Sequence, residues 1–173
     1  SEYYDRMLAF LGAYVQTGCT MSVNIWQMAA VYPVSRRYRP GAVGCDAREY
    51  RDSLPVCRCN RGLVAVAADG NLYPCLQVSG YYVKCGRFLG NVKADGLRTH
   101  LQQGAYLSEV QTTLKQLKEH SRQCADCPWF RLCCGGCRAC AAALTGDRFG
   151  VDPSKWLFFQ HGYLEKLADA LKG

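Results

Sequence analysis

Residues 124–140 read Cys124-Ala125-Asp126-Cys127-Pro128-Trp129-Phe130-Arg131-Leu132-Cys133-Cys134-Gly135-Gly136-Cys137-Arg138-Ala139-Cys140, and this stretch holds six of the twelve cysteines in a chain of 173 residues. So dense a run of thiols predicts a loop rather than a regular element. Its leading spacing is Cys124-x2-Cys127-x5-Cys133-x3-Cys137. Thiolates two residues apart converge on one metal or cluster, because a tight turn brings their sulfurs round to the same side. Gly135-Gly136, just before Cys137, lets backbone approach an inorganic core with no Cβ in the way. Backbone N–H groups in such a loop donate to cluster sulfurs and tune the potential.

Upstream, Cys59-x10-Gly70-x4-Cys75 straddles a hairpin signal. Leu63–Ala67 is apolar, Asp69-Gly70 turns the chain, and Leu72-Tyr73 returns, so the turn glycine folds two distant cysteines toward each other. Disulfides are the weaker explanation for the thiols. Stapled secreted domains are usually shorter, and this chain, 49% hydrophobic and 20% charged, has enough apolar residues for a core of its own. That composition also excludes disorder as the dominant state. No apolar run reaches a membrane span and no charged-then-apolar leader opens the chain, so a soluble, cytoplasmic protein with no membrane partner is expected. Ser1 in place of Met is expected of a piece excised from something longer.

The net charge of +7 raises the question of nucleic acid. The basic residues are scattered, and the densest group, Arg36, Arg37 and Arg39, is a single short loop, where a footprint needs a stripe or patch. Two four-iron clusters with four thiolates each would carry about −2 apiece, which leaves the charge unremarkable. No nucleic-acid partner is expected.

Along the chain, Tyr4, Met7, Leu8, Leu11 and Val15 recur at helical spacing over 3–16, with Gly18 as a stop. A β-like stretch follows around Met21–Ile25, then a helical turn through Trp26–Val31. Pro33, Pro40, Gly41 and Gly44 make 33–56 a connector and the main boundary. Gly80, Gly86 and Gly90 punctuate a loop. Ser108, with Gln111 three residues on, predicts a capped helix whose face is Val110, Leu114 and Leu117. Asp152-Pro153 starts a last helix with cap and N1 proline, faced by Trp156, Phe159, Tyr163 and Leu167. The fold class is α+β: a β-hairpin, several helices and cysteine-rich loops. Helices packed on a core explain the aromatic faces better than a cofactor box does.

Both cysteine halves together, in this order, resemble the SPASM domain, the auxiliary iron–sulfur region that follows the barrel in many radical SAM enzymes, including the peptide and sulfatase maturases. Six of that pattern's seven cysteines match: Cys59, Cys75, Cys124, Cys127, Cys133 and Cys137, with Gly70 in register. Leu89-Gly90-Asn91-Val92 is similar to the family's segment between the halves, and Cys133-Cys134-Gly135-Gly136-Cys137-Arg138 to its glycine-rich core. The resemblance implies residues 1–50 as the last elements of the barrel and its linker, and 51–173 as the auxiliary domain ending in a helix. It also implies one or two [4Fe-4S] clusters, with zinc as a substitute, near Gly70, Gly135 and Gly136. Its implied partners are an N-terminal barrel holding S-adenosylmethionine and a peptide or protein substrate.

The sequence departs from the family twice. The final cysteine would fall shortly after Asp152-Pro153, where Ser154 and Lys155 stand. The sulfatase-maturase branch has a further cysteine six residues before the first one, where Ser53 stands, although Cys45 and Cys57 are close. Carried over, one cluster takes Cys59, Cys75 and Cys137 with Cys57 as fourth candidate. The second takes Cys124, Cys127 and Cys133, its fourth ligand missing or supplied by Cys140 or Cys134. Cys133-x3-Cys137-x2-Cys140 repeats the spacing that leaves one iron open for S-adenosylmethionine. That motif belongs near the start of a barrel, only 33 residues follow Cys140, and Ala139 sits where an aromatic is usual. The match is read as coincidence, and the chain alone is expected not to be catalytic.

The alternative is a zinc-stabilised module that binds a protein or peptide without redox chemistry. Cys124-x2-Cys127-x9-Cys137-x2-Cys140 suits a tetrahedral site, but gives the hairpin cysteines nothing to do. Cys19 and Cys85 read as plain thiols. His100, His120 and His161 lie far apart, Asp126, Asp147 and Asp152 read as caps or ion pairs, and no nucleophile elbow, P-loop or dinucleotide fingerprint occurs.

Overall fold

The N-terminal stretch is helical over Glu2–Gln16 (α1) in the computed structural model, which describes residues 2–25, 28–35, 37–40, 50–57 and 64–171. Glu2 and Asp5 sit in its first turn, where the helix dipole favours acids. Its inward face buries Tyr4 and Leu11. Two tyrosines fasten α1 to the end of the chain: Tyr4 Oη donates to the Ser154 carbonyl at 2.9 Å and Tyr163 Oη to Asp5 Oδ1 at 2.9 Å.

Val23–Ile25 (β1), Ala29–Tyr32 (β2) and Arg37–Pro40 (β3) form an antiparallel sheet in that order. The helical turn expected through Trp26–Val31 is corrected over 29–32: Ala29 and Val31 are buried, Tyr32 exposed, and the segment pairs on both edges. Cross-strand pairing overrides the local leaning of an alanine pair. The connector begins with a short 3-10 turn, Pro33–Ser35, and the strand β3.

Ala65–Val66 (β4) and Leu72–Tyr73 (β5) make the hairpin, closed by Gly70 N–H on the Ala67 carbonyl at 2.9 Å. Gly70 has φ +93, and a Cβ there would stand 2.8 Å from Asn91 Oδ1. Residues 89–92 run beside β5, with Leu72 N–H on the Gly90 carbonyl at 2.8 Å and Leu89 N–H on the Leu72 carbonyl at 2.9 Å. Gly90 has φ +148, and the buried His100 ring fills the place of its missing side chain. Cys75 opens Leu76–Lys84 (α2), and Asn91 caps Val92–Gln102 (α3).

Three further corrections concern helices. The helix expected from Ser108 is two, Ala105–Val110 (α4) and Leu114–His120 (α5), and the cap between them is Thr113. Thr113 Oγ1 accepts from Gln116 N–H at 3.2 Å while Gln116 Oε1 accepts from Thr113 N–H at 2.9 Å. This reciprocal box satisfies two orphan groups. The cysteine-rich stretch is more regular than expected: Arg122–Ala125 (α6), Phe130–Cys133 (α7) and Arg138–Thr145 (α8) are short helices. Asp152 caps Pro153–Gln160 (α9), and Gly162 at φ +68 separates it from Tyr163–Ala170 (α10), where one continuous helix was expected.

The fold class is α+β. One core joins α1 and the first sheet to α9 and α10 through Leu11, Met28, Val31, Phe158 and Leu167. A second lies under the hairpin, and a third gathers Val56, Leu114, Leu117, Phe130 and two cysteines. No described helix is long and apolar enough to cross a membrane.

Candidate metal centre

The chain between Leu54 and Cys57 is held along the entry of α5: Val56 N–H donates to the Thr112 carbonyl and Leu114 N–H to the Leu54 carbonyl, both at 2.8 Å. This delivers Cys57 to the place where α2 packs on α8. Cys75 precedes α2 and Cys137 precedes α8, each as an extended N-cap residue. The result is a pocket lined by Cys57, Cys75, Cys137 and Arg138, with Val78 and Tyr82 among its apolar walls.

A second pocket is lined by Cys124, Cys127, Cys133, Asp152, Lys155 and Phe159, among others. Local turns place its thiols. Cys127 N–H donates to the Cys124 carbonyl at 3.3 Å and Phe130 N–H to the Cys127 carbonyl at 3.1 Å, so the chain coils tightly between the first two. Trp129 stacks on Phe159 at 5.7 Å between ring centroids and braces α7, which ends at Cys133.

The remaining cysteines fall elsewhere. Cys59 and Cys45 lie outside the described residues. Cys134 is the one described non-glycine residue at positive φ, +50; it is buried in the third core, and its Sγ lies 3.6 Å from the Arg131 carbonyl. Cys140 sits one helical turn beyond Cys137 and shares a side-chain hydrogen bond with it. Neither Cys134 nor Cys140 lines either pocket. The four cysteines of the tetrahedral zinc spacing are thus divided: Cys124 and Cys127 line one pocket, Cys137 the other.

Gly135 and Gly136 have left-handed backbones, φ +78 and +72, and tight protein neighbours. A Cβ on Gly135 would overlap Leu117 Cδ2, and one on Gly136 would stand 2.6 Å from Asp152 Oδ2 and 2.8 Å from Lys155 Cγ. Packing against α5 and α9 is thus a sufficient reason for both. Asp152, 1% exposed, is the joint. Its Oδ2 accepts from Cys137 N–H at 2.8 Å while its Oδ1 accepts from Ser154 N–H at 2.9 Å and Lys155 N–H at 3.4 Å. Of the other two aspartates, Asp126 pairs with Arg122 and Asp147 Oδ1 accepts from Phe149 N–H.

Two of these thiols, Cys133 and Cys137, are held neutral without a metal. Burial pushes Cys133 up to about 12, opposed in part by the Lys155 ammonium. The Cys137 thiol is raised above the ordinary range by its hydrogen bond with Cys140 and then by burial. Burial also lowers Lys155 to about 8, against the pull of Cys133 and Asp152. Arg138 is lowered by burial too. Its Nη1 donates to the Arg148 and Gly150 carbonyls at 2.8 and 2.7 Å, and Nη2 to the Gly135 carbonyl. Its buried Nε–H has no hydrogen-bond partner.

These features suit a sulfide-bearing group. Each pocket presents three soft donors, and the orphan Arg138 N–H is a donor at the wall of the first pocket. Among the described residues, no three His, Cys, Asp or Glu side chains meet closely enough to hold a single metal ion. Sequence reasoning missed Lys155 and Arg138 as walls of the pockets. The signal for Arg138 was its place directly after Cys137; Lys155 gave none beyond its place three residues after a helix cap.

Two curated proteins from two strains of Clostridium perfringens, each named cysteine-type anaerobic sulfatase-maturating enzyme, are similar to this chain. They are 32% and 31% identical to it over 84 residues, which is 49% of this chain and 20% of each relative. The chain thus spans about a fifth of the length of these relatives. No protein-family model matches the chain, and no solved structure matches it significantly.

Proposed function

We propose that this chain is the auxiliary iron–sulfur region of a radical SAM maturase, serving electron transfer and engagement of a peptide or protein substrate. The observation that carries the reading is the sorting of six cysteines, five of them from the sequence pattern and the sixth Cys57, into two pockets of three thiols. Similarity to enzymes named as sulfatase-maturating supports it independently. In this reading Cys57, Cys75 and Cys137, joined by Cys59, hold one cluster, and Cys124, Cys127 and Cys133 hold the second. Residues 1–50 are the closing elements of the barrel, and that barrel, with its S-adenosylmethionine, is the partner of residues 51–173. When bound, such clusters supply one-electron transfer at a potential the surrounding protein sets. The chain's own contribution is to hold the thiols, exclude water with Val78, Tyr82 and Phe159, and place Arg138 and Lys155 as cations beside anionic groups.

Anaerobic reconstitution followed by iron, acid-labile sulfide and zinc analysis tests the reading. About eight irons and eight sulfides per chain are expected for two clusters. Stoichiometric zinc without sulfide would overturn it in favour of the zinc module, and absence of both would overturn either.

A further inference from the structure

Cys140 lines neither pocket, yet its side chain is hydrogen-bonded to that of Cys137, which lines the first. The backbone accounts for the pairing. Cys137 is the extended N-cap of α8, and Cys140 is the third residue of that helix. An N-cap side chain folds back over the second and third helical residues, so the two thiols face each other. Their Cα separation is set by the dihedrals of Arg138 and Ala139, both helical, which makes it about 5 Å. A disulfide asks for about 4.4–6.8 Å between Cα atoms and for side chains that converge. The N-terminal end of α8 meets both conditions with no movement of the backbone. Exposure then sets the order of events: Cys137 is 8% exposed, and Cys140 is the more accessible of the two.

We propose that Cys137 and Cys140 are a redox pair that, in the cluster-free chain, closes to a disulfide by exchange with a small-molecule disulfide and so withdraws Cys137 from the first pocket. This rests on the function proposed above, in which Cys137 is a ligand of the first cluster. The Cys140 thiolate attacks the small disulfide: a mixed S–S bond forms, the oxidant's own S–S bond breaks, and one small thiol leaves. The Cys137 sulfur then attacks Cys140 Sγ, and the second small thiol leaves. Two electrons pass to the oxidant, and the two cysteine protons end on the two small thiols. A cluster already bound through Cys137 occupies the sulfur that the bond needs, so the pair closes only while the pocket is empty.

The test uses the full chain, metal-free and anaerobic, treated with oxidised glutathione, freed of it, and then given iron and sulfide without added thiol. Trypsin cuts after Arg138, between the two cysteines, so tandem mass spectrometry of the unreduced digest identifies their bond before and after loading. The oxidised parent is expected to carry that bond and to bind about half the iron of the reduced parent, and dithiothreitol should restore the remainder. Cys140→Ser should bind as much iron as the reduced parent, with or without glutathione treatment. A reduced parent that takes up no iron overturns the proposed function and this inference together. Four results overturn this inference alone: a loading-competent parent that forms no Cys137–Cys140 bond, a bonded chain that still loads fully, a Cys140→Ser chain that glutathione blocks as it blocks the parent, or a reduced Cys140→Ser chain that loads less iron.

Discussion

Replacing Asp152 by alanine removes three hydrogen bonds at once. The carboxylate caps α9 through Ser154 N–H and Lys155 N–H and holds Cys137 N–H at 2.8 Å, all within a site 1% exposed. Loss of an N-cap costs about 1 kcal/mol. A buried N–H left without an acceptor adds about 1–3 kcal/mol. The expected total is therefore about 3 kcal/mol, which for a chain of this size is roughly 6–12 °C of melting temperature. Asp152→Ser separates the two contributions, because a serine hydroxyl still caps α9 but is too short to serve Cys137 as well. Asp152→Ser should recover about 1 kcal/mol relative to Asp152→Ala. Urea unfolding followed by circular dichroism, under reducing anaerobic conditions without metal, reads both values. A loss below about 1 kcal/mol in Asp152→Ala, or identical losses in the two variants, would refute the reasoning that Asp152 joins α9 to the cysteine loop.

Gly135→Ala meets a left-handed backbone and the fully buried Leu117, and should cost about 3 kcal/mol or more, whereas Gly146→Ala, at φ +77 with nothing within 4 Å, should cost about 1 kcal/mol; urea midpoints of the two variants check the order. The Tyr14 hydroxyl beside Cys19 lowers that thiol while burial raises Cys133 to about 12, so the thiolate fraction at neutral pH is larger at Cys19. In the metal-free chain at pH 7.5, iodoacetamide should label Cys19 well before Cys133, and raising the pH toward 9 should leave Cys133 still protonated; peptide mapping that finds equal rates contradicts this. Replacing Cys57 and Cys75 with Ala should halve the iron bound per chain, replacing Cys124 and Cys127 should remove the other half, and all four replacements together should abolish it, as metal analysis reports.

What the sequence made legible is what local chemistry decides. Asp69-Gly70 turns a hairpin and Asp152-Pro153 caps a helix because the groups concerned are within a few residues of one another. β2 was not legible: Ala29–Tyr32 becomes a strand through partners at Val23–Ile25 and Arg37–Pro40. Ser108-x2-Gln111 and Thr113-x2-Gln116 are equally good capping boxes on paper, and only the second is formed. The break is fixed by the chain at Leu54–Val56, which takes the backbone of Thr112 and Leu114 as partners. The family pattern says which thiols to look for, and the structure puts Cys57, Cys75 and Cys137 on one pocket and Cys124, Cys127 and Cys133 on another. Cys59 lies outside the described residues, and the lysine in the second pocket depends on how α9 docks, which no spacing states.

The three-residue gap between Cys133 and Cys137 carries the most physical content. In an unbroken helix those positions lie one turn apart on the same face, and both thiols would serve one site. Here α7 stops at Cys133 and α8 starts after Cys137, because Cys134, Gly135 and Gly136 are all left-handed, at φ +50, +78 and +72. L-residues resist that conformation by about 1–2 kcal/mol each, so two glycines keep the cost of the reversal low. Cys134 bears the remaining strain with its backbone N–H on the Phe130 carbonyl at 2.7 Å and its side chain sunk in the third core. The reversal leaves Cys133 on the pocket that Lys155 lines and Cys137 on the one that Arg138 lines, so neighbours in sequence become walls of different pockets. Asp152 then spans the two pockets by accepting from Cys137 in one and lining the other. A disturbance of α9 therefore reaches both sets of thiols through a single carboxylate.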